Sequence, residues 1–597
     1  VAKVRETIKK LIVLFNKKEK KQFIMLFALM IIAAIFETLG IGMIVPFVGI
    51  ITNPEIIYEQ TILLYLYETL NFQSPASFII FSVIVLLSIF VIKNLYLLLF
   101  YYIQFRIIFK QQVKLSKKLF AAYLTKPYTF HLERNSADLL RNVNGEVPKI
   151  FQGIILSSFH LLTEILVVIC ILTLLLIAAP IATLTASFLL ILSVVLFFKV
   201  FRNKINSLGI EQQKVGGAMI KWVNQGLGAS KEVKVSGREN YFINSYTNKS
   251  KIQAKNNSYM KMLEQIPRLF IETILVSIIF ITMIVIIFQG TTTAQIVSTM
   301  ALFAMAAFRL MPSINRIITM ITTIKYNQPA LKVVYNDLII NTGIEHEEES
   351  EISSNEIVNN KNGNRYFNKS IQLVNVSFRY PNQNEYSVND VSLSVPIGHS
   401  VAFIGESGAG KTTIVDIILG LYEPEKGKVF VDNKPLNSYG ELWKRKIGYI
   451  PQNIFLTDDT IRGNVAFGIN MESIDDEQVW DALEQAHLKE FVLSLPDQLD
   501  THVGERGVRL SGGQRQRIGI ARALYHNPEI LFMDEATSAL DNETEKEIMK
   551  AIDGLKGEKT LIIIAHRLST IENCNTVFKM SKGRLVSIEN NSEKAIL

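Results

Sequence analysis

The chain has 597 residues, of which 49% are hydrophobic and only 19% charged. This excludes disorder as the global state, because disordered chains are poor in apolar residues, and it falls below the charged fraction of about 25% found in ordinary soluble proteins. The surplus of 62 Lys+Arg over 54 Asp+Glu, a net +8, is explained by basic flanks of membrane spans without any nucleic-acid partner.

Six apolar runs fill the first half, at 23–51, 78–103, 154–179, 181–200, 270–288 and 296–321. Each is near or above the ~20 residues that a spanning helix needs. Any one of them could be a core helix of a soluble domain, but six together could not. The third and fourth meet at Ala179-Pro180, so their connection is very short. The basic segment before the first run is not expected to be a signal peptide, because that run is too long and lacks a clear cleavage site. Lys and Arg set the orientation. They are dense from Lys3 to Lys21 and again from Lys110 to Arg141, and absent from the connections 53–76 and 289–293. Both chain ends are therefore expected in the cytoplasm, with the protein multi-pass in a cytoplasmic membrane. The loops 104–149 and 201–268 read as helical extensions of the spans. In the outer loop, Ile56, Leu63 and Leu70 share one helical face, which predicts either a short interfacial helix or a cap on the first two spans.

The segment 341–364 is rich in Glu, Asn and Ser and includes Glu347-Glu348-Glu349. It reads as a solvated linker between a membrane domain, 1–340, and a soluble domain, 365–597. Cys170 lies in an apolar run and Cys574 near the C-terminus, so no disulfide framework is implied.

The soluble half opens with a short strand at Ser400–Ile404, followed by Gly405-Glu406-Ser407-Gly408-Ala409-Gly410-Lys411-Thr412 and the helical run 413–421. This is a phosphate-binding loop between a strand and a helix. Its glycines let backbone N–H groups turn inward around phosphate oxygens, and the helix N-terminus adds partial positive charge. Lys411 would neutralise the outer phosphates of ATP, and the Thr412 hydroxyl would ligate Mg²⁺. Further on, the apolar strand Ile530-Leu531-Phe532-Met533 ends in Asp534-Glu535. Asp534 is placed to hold Mg²⁺ and Glu535 to polarise the attacking water. The apolar stretch 560–565 ends in His566, where an open α/β sheet binds its ligands. His566 could contact the terminal phosphate and position Glu535.

Between these motifs stands Leu510-Ser511-Gly512-Gly513-Gln514. In that position it resembles the signature of an ATP-binding cassette (ABC) ATPase. Gln452 in Tyr449-Ile450-Pro451-Gln452, Ser538-Ala539-Leu540-Asp541 and Thr501-His502-Val503-Gly504-Glu505-Arg506-Gly507 are similar to that family's Q-loop, D-loop and X-loop. Tyr380 resembles the aromatic that stacks on adenine. The resemblance implies a multidomain chain: an all-α six-helix transmembrane domain of ABC exporter type, joined to an α/β P-loop NTPase nucleotide-binding domain. It further implies that two cassettes close head to tail. ATP would be held by Tyr380, residues 405–413 (Thr413 included) and Gln452 of one chain, with Gln452 also near the metal, and by Ser511, Gly512, Gly513 and Gln514 of the other. One cassette with six spans makes a half-transporter, and intact motifs favour a homodimer. The loop tips near 129–138 and 219–232 would dock near Gln452 and Glu505.

Charges inside membrane spans are expensive and usually functional. Lys93, Arg268, Arg309 and Arg316 could line a cavity with positive charge, or could instead be neutralised by Glu37, Glu164 and Glu272. Phe36-Glu37-Thr38-Leu39-Gly40-Ile41-Gly42, Gly228-Ala229-Ser230-Lys231-Glu232-Val233-Lys234 and Phe308-Arg309-Leu310-Met311-Pro312-Ser313 are similar to bacterial lipid-linked oligosaccharide flippases. That similarity implies an anionic polyprenyl-pyrophosphate glycan as cargo. A drug, lipid or peptide exporter and an ATP-gated channel are the other readings.

Overall fold

Apolar runs that continue into polar sequence at the same helical period give helices much longer than a bilayer is thick. In a computed structural model, residues 2–43, 47, 50–51, 54–178, 180–288, 293–340, 366–534, 552, 554–565, 571 and 574–590 are described. The chain divides into two bodies. One holds residues 1–126 and 134–350; the other holds 127–133 and 351–597. The short piece 127–133 thus groups with the soluble half, although the sequence places it within the membrane domain.

The six apolar runs fall on the helices Lys17–Gly42, Pro75–Leu124, Ser157–Ala178, Pro180–Gly228, Glu239–Phe288 and Thr293–Tyr335. At 50 residues, Pro75–Leu124 is about 75 Å long, against a hydrocarbon core of about 30 Å. The loops do read as extensions of the spans. Among the described residues, two helical stretches, within Pro75–Leu124 and Ser136–Thr173, have apolar windows that meet the length and hydropathy needed to span. Only 6% of the window in the first is buried within the chain, so its sides are left for lipid or a partner. The third helix begins at Ser136 and is wound as a π-helix over Asn142–Glu146 and Lys149–Leu156. Helix crossings are close where glycine permits it: a Cβ on Gly209 would strike the backbone carbonyl of Tyr326. Packed between the helices are Val167, Ile171, Phe197, Ile205, Leu263, Ile271, Leu310 and Ile318.

The loop after the first apolar run departs from the expected single helix. Ile56–Glu59 and Thr61–Thr69 are separate helices, broken at Gln60, whose φ −96°, ψ 119° is extended. Ile56 and Leu63 therefore share no continuous face. Ile57 is fully buried against Ile50 and Phe78, with Leu63, Tyr67 and Phe72 packed around them, so this side caps the spans. Ile62, Tyr65 and Leu66 remain exposed.

The soluble body carries two sheets. β1 (Ser370–Phe378), β2 (Val388–Pro396), β4 (Lys426–Val431) and the short β5 (Lys434–Pro435) form an antiparallel sheet. The second has the order β10-β9-β3-β8-β7-β6. Its members are β3 (Ser400–Ile404), β6 (Ile447–Ile450), β7 (Ile530–Asp534), β8 (Thr560–Ile564), β9 (Thr576–Ser581) and β10 (Arg584–Asn590). β9, β3, β8, β7 and β6 pair in parallel. Strands buried on both faces read as continuous apolar runs, as in Thr560-Leu561-Ile562-Ile563-Ile564, where every residue is buried. The linker 341–364, Glu535, the segment 538–541 and His566 lie outside the described residues.

Candidate functional site

Parallel pairing sends the carboxyl ends of β3, β8, β7 and β6 to one edge, with Phe403 and Asp534 both opposite Ile564, and Ile450 opposite Met533. Open α/β sheets bind ligands at that edge. From it emerge the loop 405–410, Asp534, Gln452 and the stretch that leads to His566.

The loop has a shape that only glycine allows. Gly405, Gly408 and Gly410 have φ of 145°, 80° and 97°. A Cβ on Gly405 would strike the Met580 carbonyl, and one on Gly410 would sit 2.6 Å from that of Ser387. Gly410 then caps the helix Lys411–Leu419. Lys411 is buried and folds back over the loop, where its Nζ donates to the carbonyls of Gly405 (2.9 Å) and Glu406 (3.0 Å). Glu406, Ser407 and Thr412 are exposed. An ammonium held over an open ring of backbone is what an anionic polyphosphate needs, and the cradle fits one.

The possible metal ligands are all oxygens, as Mg²⁺ prefers: the exposed Thr412 hydroxyl, Asp534 at the end of β7 and the exposed Gln452 amide. Three oxygens leave an octahedral ion further positions, which phosphate oxygens and water would fill. Asp416, one helical turn beyond Thr412, was not singled out from the sequence. Burial and then the Asp534 carboxylate push its pKa up to about 7. The same two carboxylates, after burial, raise the Tyr449 phenol. A carboxylate inside the otherwise apolar run 413–421 is the signal that could have marked Asp416.

The signature segment is a helix start. Ser511 caps the helix Gly512–Leu524 in a reciprocal box: its Oγ accepts from Gln514 N at 3.2 Å, and its own N donates to Gln514 Oε1 at 2.9 Å. A serine three residues before a glutamine is the sequence form of this cap. Ser511 and Gly512 are exposed, and Gly513 and Gln514 half-buried. At the other end of the helix, Arg522 donates to the carbonyls of Asn464 (2.8 Å) and Phe455 (2.7 Å). The fully buried Asn464 in turn bonds Thr457 and Thr460. The segment after Gln452 is thus braced to the signature helix.

Tyr380 lies just past β1. Its hydroxyl shares a hydrogen bond with Thr413 Oγ1 at 3.0 Å, which brings this aromatic to the phosphate-loop helix. Beneath it are Phe378 and Tyr422. The helix Tyr128–Glu133 belongs to this same body and lies beside these rings: Tyr128 is 5.9 Å from Tyr422, and Asn382 donates to Glu133 at 3.3 Å. This segment, expected to dock near Gln452 and Glu505, meets Tyr422 and Asn382, and Tyr128 also acts on the phenol of Tyr449, three residues before Gln452; the contacts with Tyr422 and Asn382 were not revealed by the sequence pattern.

In the membrane body the cations diverge. Arg316 pairs with Glu164 at 2.6 Å, which is the neutralised alternative. Lys93 lies over the Phe90 ring at 4.8 Å. Arg268 is exposed, and no ion pair joins it to Glu272 among the described residues. Arg309 is in the helix Thr293–Tyr335, with its side chain outside the described set.

Two family profiles match the chain: "ABC transporter transmembrane region" over residues 23–312 and "ABC transporter" over 388–538. An "ATP-dependent lipid A-core flippase" of Ralstonia nicotianae is 30% identical over 80% of this chain and 78% of its own length. Another protein of that name, from Saccharophagus degradans, is 46% identical over 37% of each chain, so that match spans little over a third of the relative. The solved structure titled "Structure of a bacterial Atm1-family ABC exporter with ATP bound" superposes with a TM-score of 0.77 at 22% identity, over 98% of this chain and 97% of that one; this likeness bears on the fold. With both family profiles matched in order and a relative aligned over four-fifths of its residues, the chain belongs to the ABC transporter family.

Proposed function

We propose that two copies of this chain form an exporter that hydrolyses ATP at two shared sites and moves an anionic, pyrophosphate-linked glycolipid out of the inner leaflet of a bacterial cytoplasmic membrane, with the soluble bodies in the cytoplasm. The observation that carries the ATPase part is the phosphate cradle, with glycines at positive φ and Lys411 folded across it. Lys411 and the backbone N–H groups of the loop hold the phosphates. Tyr380 takes the adenine. Thr412 and Asp534 hold Mg²⁺, which neutralises charge on the phosphates. Glu535 orients the attacking water, His566 supports it, and Ser511 closes the site from the other chain. Glu535→Gln should retain ATP binding and lose most turnover; turnover at the wild-type rate would overturn this assignment.

A lipid cargo is supported by the relatives named as lipid A-core flippases. An anionic headgroup is supported by the cations, because arginine binds phosphate oxygens in pairs. The Glu164–Arg316 pair favours a second reading, a neutral drug or lipid exporter in which that arginine is structural. Transport of a pyrophosphate-linked lipid into vesicles separates the two. Arg309→Ala with Arg316→Ala should abolish it while ATP hydrolysis persists. Wild-type transport in that double variant would remove these arginines from cargo binding, and failure of the wild type to move this lipid would leave the neutral-cargo reading.

A further inference from the structure

Glu164 and Arg316 meet across the helices Ser157–Ala178 and Thr293–Tyr335, and their contact is one-sided. Arg316 Nη2 donates to Glu164 Oε2 at 3.2 Å, and Arg316 Nε lies 2.6 Å from Glu164 Oε1. The carboxylate thus covers the side edge of the guanidinium. The Nε approach is imperfect, because this buried nitrogen makes no aligned hydrogen bond. The end edge is open: among the described residues Arg316 Nη1 has no partner. The Arg316 side chain is 42% exposed and that of Glu164 12%, so the carboxylate is tucked behind and the arginine looks outward.

The surroundings supply no second anion. Tyr101 and His160, whose rings are 6.3 Å apart, both sense the charges of Glu164 and Arg316, and among the described residues no other acid pairs with this arginine. Val167, Leu310, Ile314 and Ile318, on the same two helices, belong to one apolar cluster. An arginine without a counter-ion is expensive in such a span, so Glu164 is what lets Arg316 stand there when no ligand is bound. The same closeness has a second effect. Any anion that comes to the open edge is repelled by Glu164, strongly so in a medium of low dielectric.

We infer that Glu164 is a resident counter-ion for a lipid pyrophosphate: it holds Arg316 until the headgroup reaches the open edge of the guanidinium, and its charge then limits how tightly the headgroup is held, so that the cargo can leave. The open edge gives the phosphate a foothold before Glu164 loosens, and the arginine is at no stage unpaired. A pyrophosphate carries more negative charge than one carboxylate and offers its oxygens in pairs, as the guanidinium fork requires. Glu164 acts through Arg316 and is therefore a positioning residue. The inference rests on the anionic-cargo reading, and the test below separates the two.

Binding of undecaprenyl pyrophosphate is measured on the full-length chain in phosphatidylcholine nanodiscs, where the probe is the anionic lipid. Undecaprenol, which has no phosphate, is the control. Glu164→Gln keeps the shape and removes the charge. It should tighten the pyrophosphate lipid about tenfold, the effect of one charge removed from a neighbouring ion, and leave undecaprenol unchanged. In vesicles supplied with ATP, the same variant should show a lower KM for this lipid and slower transport at saturation. In an Arg316→Gln background the substitution should change affinity little. Unchanged or weaker binding in Glu164→Gln overturns the counter-ion role, and so does equal tightening without Arg316. A lower KM with saturated transport at the wild-type rate also overturns it, since Glu164 would then have no part in release. Should Glu164→Gln fail to fold, Glu164→Asp carries the test: it keeps the charge but draws it back by one methylene, and should tighten the lipid by less. No tightening there overturns the role as well. A wild type that binds the pyrophosphate lipid no better than undecaprenol overturns the anionic-cargo reading and this inference with it; wild-type binding that ignores Glu164 overturns the inference alone.

Discussion

Asp416 shows how one carboxyl can make the stability of a cassette depend on pH. Its folded pKa of about 7 lies above the ordinary 3.8, because it is buried and then because Asp534 is near. Below about pH 4 both folded and unfolded chains keep the proton. Between about 4 and 7 the unfolded chain releases a proton that the folded one retains, so stability falls as pH rises, and above 7 the penalty is constant. Three pKa units correspond to on the order of 4 kcal/mol. Melting temperatures taken without Mg²⁺ or nucleotide should fall across that window in the wild type. In Asp416→Asn, which cannot ionise, the slope should be lost and stability at pH 8 should rise; an unchanged slope would contradict the assignment. Ser511 is equally informative. Its Oγ is the acceptor in the cap on Gln514 N, so its hydroxyl hydrogen stays free to point outward. Ser511→Asp should retain the cap, because aspartate accepts as well as serine does, yet place a negative charge where a phosphate is expected. ATPase activity should collapse while the helix keeps its stability.

At the level of elements, the extended helices are joined by buried polar contacts as well as by apolar packing. Tyr123 donates to Asp337 at 2.5 Å, and Asn142 Nδ2 reaches the same Asp337 oxygen at 3.0 Å. Arg141 bonds Asn142 at 2.9 Å and the Gln213 carbonyl at 3.1 Å. Glu146, almost fully buried, takes Lys149 at 2.9 Å and Gln213 at 3.0 Å. Asp337→Ala would leave a buried hydroxyl and amide short of an acceptor. It should cost about 2–4 kcal/mol, read as a lower melting temperature of the purified protein; Asp337→Asn, which keeps one acceptor oxygen, should cost less. These contacts explain what the sequence could and could not reveal. Apolar periodicity was enough for the long helices and for β3, β7 and β8, because burial writes itself directly into residue type. The motif residues of the cradle were legible because glycine at positive φ and a capping serine are local requirements. The Tyr128–Tyr422 contact was not, since those rings are 294 positions apart by their numbers and neither stands in a spaced pattern. Nor was the break at Gln60, because Glu59-Gln60-Thr61 holds no Gly or Pro to mark a helix end.

For the whole molecule, a single chain carries one phosphate cradle and one signature cap. If the signature serves the partner's cradle, Lys411→Ala chains mixed with Ser511→Ala chains should form a dimer with one complete site and one doubly defective site. Such a mixture should regain part of the ATPase activity that each variant lacks alone. No recovery over the separate variants would argue for sites formed within one chain. Finally, the soluble body is discontinuous in sequence: 127–133 belongs with 351–597. The polypeptide therefore passes between the two bodies at 126–127, 133–134 and 350–351, so the linker is one of three strands of chain joining them. A cassette excised at the linker would be missing a seven-residue patch of its own surface, with one edge of the Tyr422 ring stripped of its cover. Protein engineers who want the ATPase alone would do better to graft that heptapeptide back than to search for a longer linker.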